Sequence, residues 1–168
     1  MKILITAFAK TSAQLLVQDS IYNTLLLPSD KVQDAEKLFS VLEKENYDYI
    51  FSFGQRPNIK NKVHIETTAR KGMDSIETKL DTEELKDLFI QNKIAAKISH
   101  NAGTSYCNSI YYNGLTYIAG HELKAKMLFV HIPFIHNLDD MASFREGVFK
   151  TVNEFINKEK IVLIKCTD

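Results

Sequence analysis

The sequence predicts an α/β protein, a three-layer α/β/α sandwich around a mostly parallel, twisted sheet, with residues 1–168 forming a single domain. Three observations carry this. Short apolar runs rich in β-formers alternate with segments whose apolar residues recur at three- and four-residue steps, the pattern of strands joined by crossover helices. The 168 residues suffice for one domain with a real core and are too few for two large ones. Chemistry-bearing residues gather where strands are expected to end, at Gly54-Gln55, Asn101 to Cys107 and His131. Open α/β sheets collect their sites at those carboxyl ends.

Taken in order, "KILITAF" (2–8) is a compact β-rich run, residues 9–20 read as polar and irregular, and "NTLLLP" (23–28) reads as a second strand. From Asp30 the positions Val32, Ala35, Leu38, Phe39 and Leu42 fall on one helical face. "YDYIFSF" (47–53) is the next strand, stopped by Gly54. "KVHIETT" (62–68) alternates apolar and polar residues, as a half-exposed or edge strand does. Asp81 followed by Glu84 ahead of Leu85, Leu88 and Phe89 is a helix-capping arrangement. "KIAAKIS" (93–99) is a strand, 104–119 a helix and "KMLFVHI" (126–132) a strand. Residues 138–156 set Leu138, Met141, Phe144, Val148, Val152 and Phe155 on one helical face, and "KIVLIKC" (160–166) reads as a last strand. The lysine-rich "RPNIKNK" and "TARKGMD" segments read as solvated loops.

Composition narrows the function. Apolar residues make up 45% and charged residues 25%, and 21 basic residues balance 21 acidic ones. That balance leaves no electrostatic footprint for nucleic acid or an anionic membrane. The opening "MKILITAF" lacks the long apolar stretch and small-residue cleavage site of a leader, and no run approaches the ~18 apolar residues of a membrane span. Cys107 and Cys166 are too few for a disulfide framework, so a cytoplasmic protein is expected. His131 and His136, five residues apart, make a poor metal pair, and there is neither a G-x-G-x-x-G nor a P-loop, so no metal or cofactor is expected.

The stretch with chemical content is "NAGTSYCNSI" (101–110). A tight turn leads into a helix with Thr104 or Ser105 available as its cap and Cys107 in its first turn. Unpaired N–H groups and the helix dipole there favour a thiolate and suit an oxyanion. The competing reading is a buried structural thiol. His131, ending the apolar run "MLFV", is either its base or a satisfied core histidine.

"NAGTSYCNSIYY" followed by "FVHIPF" resembles the paired signature of pyroglutamyl peptidase I, the C15 family of cysteine peptidases. That family has an Asn/Ser-Ala-Gly-Thr-x-x-Cys-Asn block and then a Val-His-(Ile/Val)-Pro block. "MKILITAF", "IFSFGQ", "LDTEELKDLFIQNKIAAKISHNAGT" and the helix at 138–156 are similar to the corresponding family segments, so the resemblance covers nearly the whole chain. It implies an enzyme that removes N-terminal pyroglutamyl residues from peptides, with Cys107 as nucleophile, His131 as base and then acid, and a thioester intermediate. It also implies a lactam pocket involving Phe8, Gln55 and Arg56, and a homo-oligomer, commonly a tetramer. The alternative is a diverged or non-catalytic relative that acts on, or only binds, another small acyl or lactam ligand.

Three segments depart from the family pattern. "AFAKTSAQLL" keeps the first pocket aromatic as Phe8 but has Thr11 in place of the second. Gly54-Gln55-Arg56 is a shortened form of the family's Gly-Gln-Ala-Gly-Gly-Arg. The family's Glu, two residues before a strand valine, falls on Asn61 when counted back from Val63. By strand parity Glu66 lies on the other face with His64, so Asn61 is expected to orient His131.

Overall fold

The computed structural model describes the backbone of residues 1–165 and the side chains of residues 1–161. Six strands form the middle layer. From edge to edge they are β2 (Asn23–Leu27), β1 (Ile3–Phe8), β3 (Tyr49–Arg56), β8 (Lys126–Pro133), β4 (Lys62–Glu66) and β7 (Ala95–Ser99). Neighbours run parallel except β4 against β8. Side chains alternate faces along each strand, and the two faces carry separate cores. Ile5, Phe51, Phe53, Val63, Ile65 and Val130 pack with helices α1 (Ser12–Val17), α3 (Thr82–Gln91) and α5 (Met141–Lys165). Leu4, Phe8, Ile50, Met127 and Phe129 pack with α2 (Lys31–Lys44) and α4 (Tyr106–Gly120). Each fully buried Leu, Ile or Phe stabilises the sandwich by about 1.5–3 kcal/mol. The expected three-layer architecture is the one observed.

The Asp81 cap stands where the sequence places it, and Asp30 caps α2 as well. Asp30 accepts hydrogen bonds from the Val32 and Gln33 amides, and Asp81 from the Glu84 amide. Four segments differ from expectation. The stretch read as irregular holds the six-residue α1, begun by Thr11, whose hydroxyl accepts from the Ala13 amide. It is too short for helical periodicity to declare itself. The segment 62–66 is an interior strand between β8 and β7, not an edge. Its polar alternation arises because Glu66 points into the protein, fully buried. The "TARKGMD" segment belongs to a hairpin, β5 (Thr68–Lys71) and β6 (Asp74–Glu77), turning at Gly72 with φ +62°. Finally, 160–165 continues α5 instead of forming a strand, and Cys166 lies outside the described residues. Glu159, which accepts from the Tyr49 hydroxyl and pairs with Lys126, ties that helix to the sheet as it passes.

Candidate active site

Phe8, Gly54 and His131 lie at the carboxyl ends of β1, β3 and β8, and α4 brings Cys107 onto them. Gly54 is what permits the approach. A Cβ there would stand 2.7 Å from Cys107 Sγ and 2.7 Å from Phe129 Cζ, so only a glycine lets the thiol rest on the strand. Gly54 is also the register partner of His131 in the β3–β8 pair. Phe129 and His131 share the α4 face, with ring centres 4.9 Å apart. Thiol and imidazole therefore converge on one strand position. Gly54→Ala is expected to destabilise the fold by about 1–3 kcal/mol through overpacking. Turnover per folded molecule should drop about 10²-fold, since roughly 1 Å of misplacement suffices for that. Thermal unfolding and kcat measured on the same sample check both effects.

The partner of His131 is Glu66, not Asn61. Glu66 Oε1 lies 2.7 Å from His131 Nδ1, and both side chains are buried. An ionised carboxylate only accepts, so Nδ1 carries the hydrogen and Nε2 keeps its lone pair for a proton. Oε1 also accepts from the Arg56 guanidinium at 2.9 Å, while Oε2 is buried without a hydrogen-bond partner among the described residues. Arg56 donates in addition to the Asn101 carbonyl at 3.1 Å, which ties this group to the loop before Cys107.

The expectation for Asn61 fails on the face it occupies. Val63 and Ile65 point into the α1–α3–α5 core, whereas His131, with Phe129, lies on the α4 face. On β4 it is the even-numbered residues, His64 and Glu66, that reach that face. Asn61 instead donates to Asp139 at 2.5 Å and accepts from the Asp139 amide at 2.9 Å. Asn61→Ala should therefore cost about 1 kcal/mol of stability and leave kcat at the wild-type level, as an assay of the purified variant would read. His64 stands opposite His131 in register, with Nε2 buried and unpartnered among the described residues. Burial, and then the Arg56 charge, lower its pKa, so it is held neutral.

Cys107 also departs from expectation. It does open α4, and Ser105 is the cap residue, but the Ser105 side chain makes no capping hydrogen bond, so the first-turn N–H groups carry no side-chain cap. Burial nevertheless dominates. It pushes the thiol up to about 11, against smaller lowering contributions from the Ser105 hydroxyl and the Cys107 amide. The resting group is a neutral thiol, not the preformed thiolate that helix position alone suggests. Asn108 fixes the same helix start to the hairpin. Its Oδ1 accepts from the Arg70 amide at 2.9 Å, and its Nδ2 donates to the Arg70 carbonyl at 2.7 Å. Tyr111, one turn on, donates to the Glu66 carbonyl at 2.8 Å.

Of the remaining candidates, Phe8 is buried in the cluster that contains Cys107, and Arg56 reaches Glu66. The Gln55 side chain is not brought to them. It alternates to the opposite face, where its Oε1 accepts from the Ser12 amide at 3.1 Å. Thr11 serves as the α1 cap and donates to the Phe8 carbonyl at 2.7 Å, so it is no part of an aromatic wall. Glu66 is the residue sequence reasoning set aside. The signal for it is a carboxylate closing a strand that alternates polar with apolar residues, a position where a buried charge needs a partner. No cluster of three or more potential metal ligands occurs among the described residues.

The fold and this arrangement define an α/β protein with a thiol, an imidazole and a carboxylate gathered at the carboxyl edge of its sheet. The family model of pyroglutamyl peptidase matches residues 57–143, just over half of the chain, so the chain belongs to the pyroglutamyl peptidase family, peptidase family C15. Among similar proteins, pyrrolidone-carboxylate peptidase 2 of Caldanaerobacter subterraneus is 26% identical, over 80% of this chain and 82% of its own length. The pyrrolidone-carboxylate peptidase of Thermosipho melanesiensis is 27% identical over 82% and 85%. The crystal structure of pyrrolidone carboxyl peptidase from Fervidobacterium islandicum superposes with a TM-score of 0.83, at 18% identity, over 94% of this chain and 99% of that one. Pyroglutamyl peptidase I of Bacillus amyloliquefaciens superposes at 0.80, with 17% identity, over 88% and 90%. The protein is thus a pyroglutamyl-peptidase-I-like hydrolase, and no described helix is long and apolar enough to cross a membrane.

Proposed function

We propose that the protein hydrolyses N-terminal pyroglutamyl residues from peptides, with Cys107 as nucleophile, His131 as general base and acid, and Glu66 as the positioning carboxylate. The observation that carries this is the 2.7 Å contact between Glu66 and His131 Nδ1 on the face where Cys107 packs. As the substrate docks, the Cys107 proton passes to His131 Nε2 while Sγ attacks the pyroglutamyl carbonyl carbon. Negative charge develops on the carbonyl oxygen and is met by the uncapped N–H groups of the first turn of α4. The imidazolium, stabilised by Glu66, then protonates the departing amine, and a pyroglutamyl thioester remains. Water, deprotonated by His131, attacks that thioester and releases pyroglutamate and the free thiol. Phe8 supplies the apolar wall for the lactam. Arg56 holds Glu66 and the 101–104 loop in place. On its cysteine usage and family resemblance the enzyme works in the cytoplasm as a homo-oligomer.

The test is a set of chromogenic anilides. Release from the pyroglutamyl anilide, and not from the alanyl or prolyl anilide, is the expected result. Release from a different small acyl or lactam anilide alone would assign the site to that group, in keeping with the loss of the second pocket aromatic at Thr11. A folded protein that cleaves none of them sinks the enzymatic reading.

A further inference from the structure

Against the 101–104 loop and the outer side of α4 lies a cavity of about 700 Å³. Lys31 at the start of α2, Arg70 and Lys71 on the hairpin, and Thr104, Asn108 and Tyr112 beside the cysteine contribute to its walls. Three cations surround it, and no carboxylate lines it. The chain as a whole balances 21 basic against 21 acidic residues, so this is a local excess. Among the described residues none of the three cations belongs to an ion pair. Lys31 Nζ reaches only the Thr104 carbonyl at 3.3 Å, and the Lys71 ammonium sits 5.9 Å from the centre of the Tyr112 ring.

The cavity is built with the nucleophile. Asn108, the residue after Cys107, holds both backbone polar groups of Arg70, so the helix turn that carries the thiol also positions the hairpin cations. Asn101, whose carbonyl receives Arg56, belongs to both places.

We propose that this cavity receives a carboxylate of the leaving peptide, which makes short or acidic pyroglutamyl peptides the preferred substrates. The inference rests on the function proposed above. An extended chain advances about 3.3–3.6 Å per residue, so the terminal carboxylate of a tripeptide, two residues on, falls roughly 7 Å beyond the scissile bond. An aspartyl side chain just after that bond sets its carboxylate nearer, roughly 5 Å beyond it, so the two substrates probe different depths of the cavity.

The experiment compares kcat/KM for pyroglutamyl-alanyl-alanine as free acid, the same peptide as its C-terminal amide, and pyroglutamyl-aspartyl-alanine amide. At low salt the free acid or the aspartyl peptide should exceed the neutral amide by about fivefold, carried in KM and shrinking as salt screens the cations. Whichever gains identifies the source of the carboxylate. In the Arg70→Ala/Lys71→Ala double variant the ratio should fall to about one. The neutral amide serves as internal reference in the same sample, so partial unfolding cancels from the ratio. Equal rates for all three peptides in the wild type, or a preference that persists in the double variant, overturn the proposal. If the chromogenic pyroglutamyl anilide is cleaved while the ratios are flat, only this inference fails. If no pyroglutamyl compound is cleaved, it falls together with the reading beneath it.

Discussion

Glu66→Gln should lower kcat on a pyroglutamyl anilide about 10²-fold, and Glu66→Ala by about 10³-fold or more, within the range that general acid–base catalysis contributes. The two variants separate charge from geometry. In the wild type Oε1 accepts from both His131 Nδ1 and Arg56. A glutamine carbonyl can keep both bonds and the imidazole's orientation, but it offers no negative charge to the imidazolium formed as Cys107 loses its proton. Alanine loses the orientation as well, and the ring is then free to present the wrong nitrogen. KM should change little in either case, because the effect belongs to the transition state. Stability should fall too. The glutamine NH₂ would occupy the place of Oε2, which has no partner, at about 1–3 kcal/mol for a buried unsatisfied donor. Chemical denaturation gives the stability term, and steady-state kinetics at saturating substrate give the catalytic one. A Glu66→Gln enzyme with wild-type kcat would remove Glu66 from the mechanism.

The same residue marks what the sequence could and could not convey. The layering, the strand–helix alternation and the Asp81 cap were legible, because each depends on local periodicity or on a side chain bonding an amide three residues away. The placement of Cys107 at a helix start and of His131 near a strand end was legible from the same local patterns, whereas their pairing as nucleophile and base came only from the family resemblance. Which face of β4 meets His131 was not legible. It depends on the antiparallel pairing of β4 with β8, a contact between segments 65 residues apart in sequence for the Glu66–His131 pair. Counting parity within β4 placed Val63 and Glu66 on opposite faces correctly, but nothing local says which face is the site. The thiol's state was hidden for a similar reason. Helix position argues for a thiolate, whereas burial, a tertiary property, acts the other way and prevails.

Cys107→Ala should abolish turnover, with a loss beyond about 10³-fold, and Cys107→Ser should recover little of it. A serine hydroxyl is a far weaker acid than even this raised thiol, and the Glu66–His131 pair faces a correspondingly larger proton-transfer demand. The more searching measurement is the pH dependence of the wild type. With the thiol held up to about 11, the reactive thiolate fraction of the free enzyme rises about tenfold per pH unit through neutrality, and iodoacetamide labelling of Cys107 should rise with it up to about pH 10. Turnover should not follow that line. His131 takes the thiol proton during attack, so kcat should not climb in step with the thiolate fraction of the free enzyme, while labelling does. Labelling already at its plateau at pH 7 would instead mean a preformed thiolate–imidazolium pair. The sign for stability is independent of this. A thiol whose pKa is raised above its ordinary 9.0 by folding favours the folded state below about pH 9, and that contribution disappears as pH rises toward 11. Cys107→Ala should therefore lose less stability between pH 9 and 11 than the wild type does, an outcome that denaturant titrations at the two pH values would detect even in a protein with no turnover left to assay.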